Sequence, residues 1–154
     1  MKSRPRSVER NVAAYLTQLL SDNGKITSPL HRIPVLGREG PDISYDKNVK
    51  LIIDVKSRLK VPACMLAGKS ELLLADLFCF RLEDLLKLPH MGVTRSVEAS
   101  KTVRKWWDHM DEWTRANEPD GISAIVLHRP QMPIGHSTVV ISLQDRSKLC
   151  HRLS

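Results

Sequence analysis

The sequence lacks any apolar run near the roughly 20 residues that a membrane-spanning helix needs. Its N-terminus is basic, but the apolar stretch of a secretion signal does not follow it. We therefore expect a protein of the cytoplasm (the host cytoplasm if the source is viral), with no membrane partner.

Cysteine is scarce. Cys64, Cys79 and Cys150 lie far apart and form no CxxC pair, a spacing that argues against a zinc site and favours free, mostly buried thiols. Four of the histidines also lack the spacing of metal ligands, and we interpret them as surface or core residues: His90, His109, His128 and His136.

Acidic residues are too few to balance the basic ones: 17 Asp and Glu stand against 24 Lys and Arg, which gives a net charge of +7. A polyanionic partner would explain this excess, with nucleic acid ahead of a membrane surface. A basic, solubilising surface explains it equally well. Because 42% of the 154 residues are apolar, the chain can form the core of a single domain over residues 1–154.

The first element is an amphipathic helix. Ser7 is a plausible N-cap, Glu9 lies in the predicted first turn, and Asn23-Gly24 ends the helical pattern. Residues 1–7 are predicted to form a flexible basic arm. Ile26–Leu36 is predicted to be a loop or a short edge strand, since two prolines interrupt it.

Two strands are predicted next, as a hairpin. Asp42–Tyr45 is short, Val49–Val55 is β-branched and apolar, and Asp46-Lys47-Asn48 is typical of a turn. The remaining pattern predicts five further elements, namely a strand over Leu77–Phe80, a short helix over Glu83–Leu88, a long helix over Val97–Ala116, and strands over Ile122–Leu127 and Thr138–Leu143. This order indicates an α/β domain with a mixed sheet flanked by helices.

The predicted hairpin brings two carboxylates together. If its turn centres on Asn48, Asp54 lies opposite Asp42, while Ile53 and Val55 point with Ile43 to the other face. Directly opposed residues lie about 5 Å apart at Cβ, so the two charges repel each other unless something offsets them. A hard divalent cation such as Mg²⁺ would do so, because it prefers oxygen ligands.

Lys56 follows Asp54 on the same face, where its ammonium could hold a water or offset charge on a phosphate. The alternative is an exposed Asp54–Lys56 ion pair, which is common on strands. Against it, Asp54 interrupts an apolar run, and basic residues surround both ends of the hairpin, namely Arg32, Arg38, Lys50, Arg58 and Lys60. Two acids, a lysine and a metal are what phosphodiester hydrolysis requires.

These residues resemble a known family. Gly40-Pro41-Asp42 followed by Ile52-Ile53-Asp54-Val55-Lys56-Ser57 resembles the PD-(D/E)xK nuclease motif. The first helix is similar to that of archaeal-type Holliday junction resolvases and their phage relatives. The resemblance implies a restriction-endonuclease-like fold. It also implies one Mg²⁺ site, in which Mn²⁺ would substitute, built from Glu9, Asp42, Asp54 and the backbone carbonyl of Val55, with Lys56 as a further catalytic residue.

The resemblance further implies a homodimer that makes paired nicks in branched DNA, above all in four-way junctions. It points to Arg10 and Arg32 as DNA contacts and to Ser28 as a serine of a loop that is mobile in some members. Arg38, Arg58 and Lys60 are further candidates for DNA binding. Residues 67–95 do not fit the family pattern and are predicted to be an insertion. Two alternatives remain: a nuclease acting on other DNA such as duplex or flap, and a non-catalytic basic DNA-binding protein.

Three tryptophans lie in the predicted long helix. Trp106, Trp107 and Trp113 could stack on unpaired bases, although packing of two of them in the core or in a dimer interface is favoured. Trp106 and Trp107 cannot both face one way on a helix, so one of the two is expected to be exposed.

Overall fold

The computed structural model describes residues 5–34, 39–58, 72–74, 76–92, 96–97 and 101–154. Within these ranges, three α-helices and six strands form an α/β arrangement. Their bounds in chain order are α1 Pro5–Asp22, β1 Leu51–Ser57, β2 Leu72–Leu74, β3 Leu77–Arg81, β4 Ser96–Val97, α2 Lys101–Asn117, β5 Ile122–His128, β6 Thr138–Ser142 and α3 Leu143–Leu153. Two 3₁₀ segments, Leu82–His90 and Ile134–His136, complete the set.

The strands form one mixed sheet in the order β1-β5-β6-β3-β2-β4. The β1–β5 and β2–β4 pairs are parallel, and the other three pairs are antiparallel. Parallel neighbours need a long crossover, and α2 lies in the stretch that connects β1 to β5. The prediction of an α/β domain with a mixed sheet flanked by helices is confirmed.

Helix α1 begins at Pro5, two residues before the predicted start. Proline is favourable at the first helical position because the missing N–H would have no helical partner there. Ser7 therefore lies inside the helix and not at its N-cap, and Glu9 falls in the second turn. Of the predicted flexible arm, residues 5–7 are helical, and residues 1–4 lie outside the described part of the chain.

The predicted end of α1 is confirmed. Gly24 has φ of 70° and donates its N–H to the Ser21 carbonyl, while the Lys25 N–H bonds to the Leu20 carbonyl. This pair of bonds around a left-handed glycine is a Schellman cap.

The predicted hairpin is wrong in its first strand. Residues 42–45 form no regular strand, and the backbone of this segment pairs instead with the preceding loop through an isolated bridge between Arg32 and Ile43. The Asp46 carboxylate accepts hydrogen bonds from the backbone N–H groups of Asn48 and Val49, which agrees with the turn predicted at Asp46-Lys47-Asn48. Lys50, at the end of this turn, has a φ of 51°. The chain then enters β1, whose ladder partner is β5.

The segment predicted to be an insertion, 67–95, contains part of the central sheet. Strand β3 lies between β6 and β2, and its apolar side chains from Leu77 to Phe80 are fully buried or nearly so. The predicted short helix is the 3₁₀ segment Leu82–His90. The described part of this segment is therefore integral to the fold.

The C-terminal half contains one correction and one missed element. Helix α2 begins at Lys101, and Val97, its predicted start, lies in β4. Helix α3 was not predicted. It begins after Ser142, whose hydroxyl accepts the N–H of Gln144, and Asp145 lies in its first turn, which is a capping pattern visible in the sequence. The predicted strands β5 and β6 are confirmed.

The sheet has a different apolar cluster on each face. One cluster joins α1, α3 and the segment Leu82–His90 to the sheet, and it includes Leu51, Ile53 and Val55 of β1. The other joins α2 to the sheet and includes Ile52. Because strand side chains alternate, Asp54 and Lys56 lie on the α2 face. None of the described helices is long and apolar enough to cross a membrane.

Candidate metal and phosphate site

Asp42 lies at the outer edge of the sheet. Its backbone N–H donates to the Ile53 carbonyl at 2.9 Å, and its carboxylate Oδ2 accepts the N–H of Val55 at 2.8 Å. Since β1 is an edge strand, these two bonds attach the segment before β1 to the open side of the sheet. The attachment holds the Asp42 side chain beside the second half of β1.

The Asp42 carboxyl lies next to that of Asp54, close enough for a hydrogen bond when Asp42 is protonated. The pKa of Asp42 rises from 3.8 to about 8, first because the group is buried and then because of the bond to Asp54, the Asp54 charge and the more distant Glu9. The bond from the Val55 N–H acts in the opposite direction. At neutral pH the Asp42 carboxyl is therefore mostly protonated in the metal-free protein, and a cation bound beside it would displace that proton.

Lys56 completes the polar group on this face. Its Nζ lies 3.2 Å from Oδ2 of Asp54, and the two side chains are only 25% and 17% exposed. The structure thus brings Asp42, Asp54 and Lys56 together although the hairpin does not form. Strand alternation alone places Asp54 and Lys56, and the edge bonds of Asp42 place the third group.

These groups form the floor of a cleft of about 210 Å³ between β1 and α2, which is lined by Glu39, Gly40, Asp42, Asp54, Lys56, His109, Met110 and Trp113. The cleft is partly open to solvent. Two of its lining side chains are exposed, since the His109 ring lies 3.9 Å from the Glu39 carboxylate and both are largely accessible.

Gly40 fixes the approach of the chain to Asp42. Its φ is 133°, a conformation that side chains rarely adopt, and a Cβ there would lie 3.2 Å from the indole of Trp113. Trp113 therefore packs directly against the backbone that precedes Asp42. Sequence reasoning did not assign Trp113 or His109 to the site. The available signal was their spacing with Met110 along one side of α2.

Glu9 is near the site but bound elsewhere. Its carboxylate forms an ion pair with Nε of Arg32 at 2.8 Å, with both side chains largely covered. Over the residues that the structure describes, no three Asp, Glu, His or Cys side chains are grouped closely enough to hold a metal. The arrangement therefore offers two carboxylates, with the predicted third one engaged by an arginine.

The Val55 carbonyl is the remaining predicted ligand. A strand residue directs its N–H and C=O to the same side, and the Val55 N–H points to Asp42 on the open edge. Its carbonyl therefore also points away from β5. Two carboxylates and a carbonyl fit Mg²⁺, which is commonly held by one or two carboxylates and completes its shell with water and substrate phosphate.

The predicted DNA contacts differ in their exposure. Arg10, Ser28 and Arg58 are exposed, whereas Arg32 is partly buried in its ion pair with Glu9. Arg38 and Lys60 lie outside the described residues, as does Cys64. Cys79 is buried and Cys150 is half-buried.

The three tryptophans of α2 differ in burial, as their positions on the helix require. Trp107 is buried in the cluster under α2, at 8% exposure, while Trp106 and Trp113 are partly exposed at its margin. The expectation that Trp106 and Trp107 face different ways is confirmed.

Comparison of the chain with protein-family models, with curated proteins and with solved structures finds no match.

Proposed function

We propose that this chain is a Mg²⁺-dependent DNA endonuclease with a restriction-endonuclease-like arrangement of its sheet. The observation that carries the proposal is the pair of neighbouring carboxyl groups of Asp42 and Asp54, with Lys56 beside them, in one cleft that is open to solvent. A structural ion pair would need one carboxylate and one lysine. A second, partly buried carboxylate costs stability, and a metal-binding role accounts for it.

The side chains have separate tasks in this proposal. Asp42 and Asp54 would hold the cation once Asp42 releases its proton, with the Val55 carbonyl as a third oxygen. When bound, the ion would neutralise the scissile phosphate and lower the pKa of a coordinated water. Lys56, next to Asp54, would orient the attacking water or neutralise charge on the phosphate oxygens.

Arg32 and Glu9 add a step that depends on substrate. A DNA phosphate can compete with the Glu9 carboxylate for the Arg32 guanidinium, because arginine forms charge-assisted hydrogen bonds with both kinds of anion. Binding of phosphate to Arg32 would release Glu9 toward Asp42, whose pKa already responds to the Glu9 charge. Glu9 then acts as the third acidic ligand in the DNA complex.

Four-way junctions are the proposed substrate, cut by a homodimer, with Mn²⁺ able to replace Mg²⁺. This finer proposal is supported by the sequence resemblance and by the net charge of +7. Two active sites related by a two-fold axis would place nicks on two opposed strands. The second candidate is a nuclease of the same chemistry acting on duplex or flap DNA.

The test is incubation of the protein with end-labelled four-way junction, flap and linear duplex, each with Mg²⁺, Mn²⁺ or EDTA. We expect symmetric nicks in the junction with either metal and none in EDTA. Cleavage of flap or duplex alone would replace the resolvase by the second candidate. Binding without cleavage under every condition would overturn the nuclease and leave a DNA-binding protein.

Metal binding has its own measurement. Mg²⁺ should raise the melting temperature of the wild-type protein at pH 8, because the cation binds the folded state and displaces the proton of Asp42. The Asp42→Asn variant keeps the size of the side chain and loses one ligand charge. An equal rise in the variant would count against these carboxylates as the metal ligands.

A further inference from the structure

Trp106 is an aromatic side chain that the proposed chemistry does not use. It precedes Trp113 by seven residues, so both project from the same side of α2, about 10 Å apart along the helix axis. Trp113 packs against Gly40 at one end of the cleft. Trp106 lies at the other end, next to Lys56, and is partly exposed.

Two cations lie against the Trp106 ring. Lys56 Nζ is 5.7 Å and the Arg58 guanidinium carbon 5.3 Å from the ring centroid. The Arg58 N–H bonds to the His128 carbonyl at 3.0 Å, so the β1 ladder continues for one residue and places Arg58 on the face of Lys56. Arg58 is exposed, and its guanidinium also donates to the Ser57 carbonyl at 2.9 Å.

An indole next to an exposed guanidinium is a surface suited to a nucleotide. Both are flat groups on which a base stacks, and the positive charge attracts the adjoining phosphates. A base inside a duplex is already stacked and paired, so it cannot offer a face to Trp106 without being extruded. Such a surface therefore distinguishes unpaired from paired nucleotides.

We propose that Trp106 and Arg58 form a platform on which an unpaired DNA nucleotide stacks. Arg58 lies four residues from Asp54, about 13 Å along the strand, so this nucleotide is near the phosphate in the cleft but is not the one attacked. The location of this nucleotide relative to the cut rests on the proposed function. The platform would favour substrates that have unpaired nucleotides beside the cut, such as flaps or opened junctions, over fully paired DNA.

The test compares binding of a labelled oligothymidine and of a blunt duplex of equal length, by fluorescence anisotropy in EDTA, where cleavage does not interfere. Trp106→Ala should weaken single-strand binding about tenfold and duplex binding by no more than about twofold. Trp106→Phe should retain most of the affinity, because phenylalanine still stacks. Arg58→Ala should weaken single-strand binding more than Arg58→Lys, which keeps the charge but not the plane.

Lys105→Ala is the matched control, since Lys105 is an exposed cation adjacent to Trp106 on α2. Its loss should weaken both DNAs by the same small factor. A fluorescent adenine analogue within the oligonucleotide gives a second measurement. Its emission should be quenched by the wild-type and Trp106→Phe proteins and should stay bright with Trp106→Ala.

An unchanged ratio of single-strand to duplex affinity in both Trp106→Ala and Arg58→Ala would overturn the platform. The Arg58 variant keeps the test valid if Trp106→Ala does not fold, because Arg58 is at the surface. The nuclease proposal fails separately. If the ratio of single-strand to duplex affinity depends on Trp106 but no DNA is cut in Mg²⁺, the platform stands and the nuclease is overturned. If DNA is cut but the ratio does not change in the variants, the nuclease stands and the platform is overturned.

Discussion

The two faces of the sheet differ at β1 in the kind of side chain that they carry. On the face of α1 and α3, the side chains of Leu51, Ile53 and Val55 join a continuous apolar cluster. On the face of α2, Ile52 is apolar and buried, and Asp54 follows at the position where a second apolar side chain would extend the packing. One strand therefore contributes to the core with one set of residues and to the cleft with the other.

This difference shows how the fold accommodates a charged site beside an apolar core. The face of α1 and α3 carries most of the apolar burial, so α2 need not cover the whole of β1. Met110 and Trp113 of α2 belong to or pack against the apolar cluster and also line the cleft that contains the two carboxylates. Partial solvation limits the penalty of holding two acidic groups together.

The largest effect is expected from Asp54→Asn on the α2 face. Cleavage should fall by more than about 1,000-fold, because the variant loses a charged ligand at the reacting phosphate. DNA binding should be unchanged or tighter, since one negative charge near the phosphates is removed. The measurements are cleavage of labelled junction and anisotropy in EDTA. Full activity in a correctly folded variant would contradict the assignment of the site.

Ile53→Ala tests the opposite face of the same strand. Ile53 is 1% exposed, and its truncation should lower the free energy of unfolding by about 2–5 kcal/mol through lost burial and a cavity. Urea unfolding measures the change. Lys47→Ala, at an exposed turn position, is the control and should change stability by less than about 0.5 kcal/mol. A small effect at Ile53 would mean that this face is not the main source of stability.

Asp42→Asn should remove the pH dependence of stability that Asp42 gives to the metal-free protein. The pKa of Asp42 is about 8 in the folded chain and 3.8 ordinarily, so its contribution to stability is fully present below pH 3.8 and is lost as pH rises through 8. Asparagine cannot ionise. In EDTA the variant should therefore be more stable than wild type by about 1–2 kcal/mol at pH 8.5, after allowance for solvent screening.

The measurement is thermal or urea unfolding of both proteins at pH 5.5, 7 and 8.5. The difference between them should widen with pH. A constant difference would show that Asp42 is ionised throughout, and a difference that narrows with pH would contradict the sign of its pKa shift.

Glu9→Gln should have the smallest effect on stability. It weakens a partly buried ion pair with Arg32, which is worth about 0.5–1 kcal/mol of unfolding free energy. A double-mutant cycle with Arg32→Gln isolates that coupling. Cleavage should nevertheless fall strongly if phosphate binding releases Glu9 toward Asp42. Unchanged cleavage together with a measurable coupling would leave Glu9 a structural role only.

The sequence predicted the parts of the fold that depend on local pattern. The apolar periodicity of α1, the glycine at its end and the β-branched run of β1 are all local signals, and the alternation of β1 correctly separated Ile53 from Asp54. The hairpin failed because the backbone of residues 42–45 pairs with residues 31–33, a choice made by tertiary contacts. Helix α3 was missed because it buries only Leu149 and Leu153, which gives a weak apolar pattern.

The candidate site also has one part that the local sequence predicts and another that depends on tertiary contacts. Asp54 and Lys56 are two residues apart, so their common face follows from strand geometry. The wall of the cleft depends on how α2 packs against the sheet. Local sequence pattern does not show that Trp113 contacts Gly40 or that His109 lines the same cleft as the carboxylates. The Glu9–Arg32 ion pair joins residues 23 positions apart, so local pattern could not predict it either.

The attachment of Asp42 to β1 also bears on self-association. An edge strand with unpaired N–H and C=O groups is a template for pairing with another chain. Here the Asp42 backbone and carboxylate occupy the Ile53 carbonyl and the Val55 N–H on that edge. Asparagine at position 42 still offers an oxygen to the Val55 N–H, whereas alanine leaves that group bare. Asp42→Ala should therefore aggregate on concentration where Asp42→Asn stays dispersed, so the residue assigned to cleavage also protects the sheet edge from its neighbours.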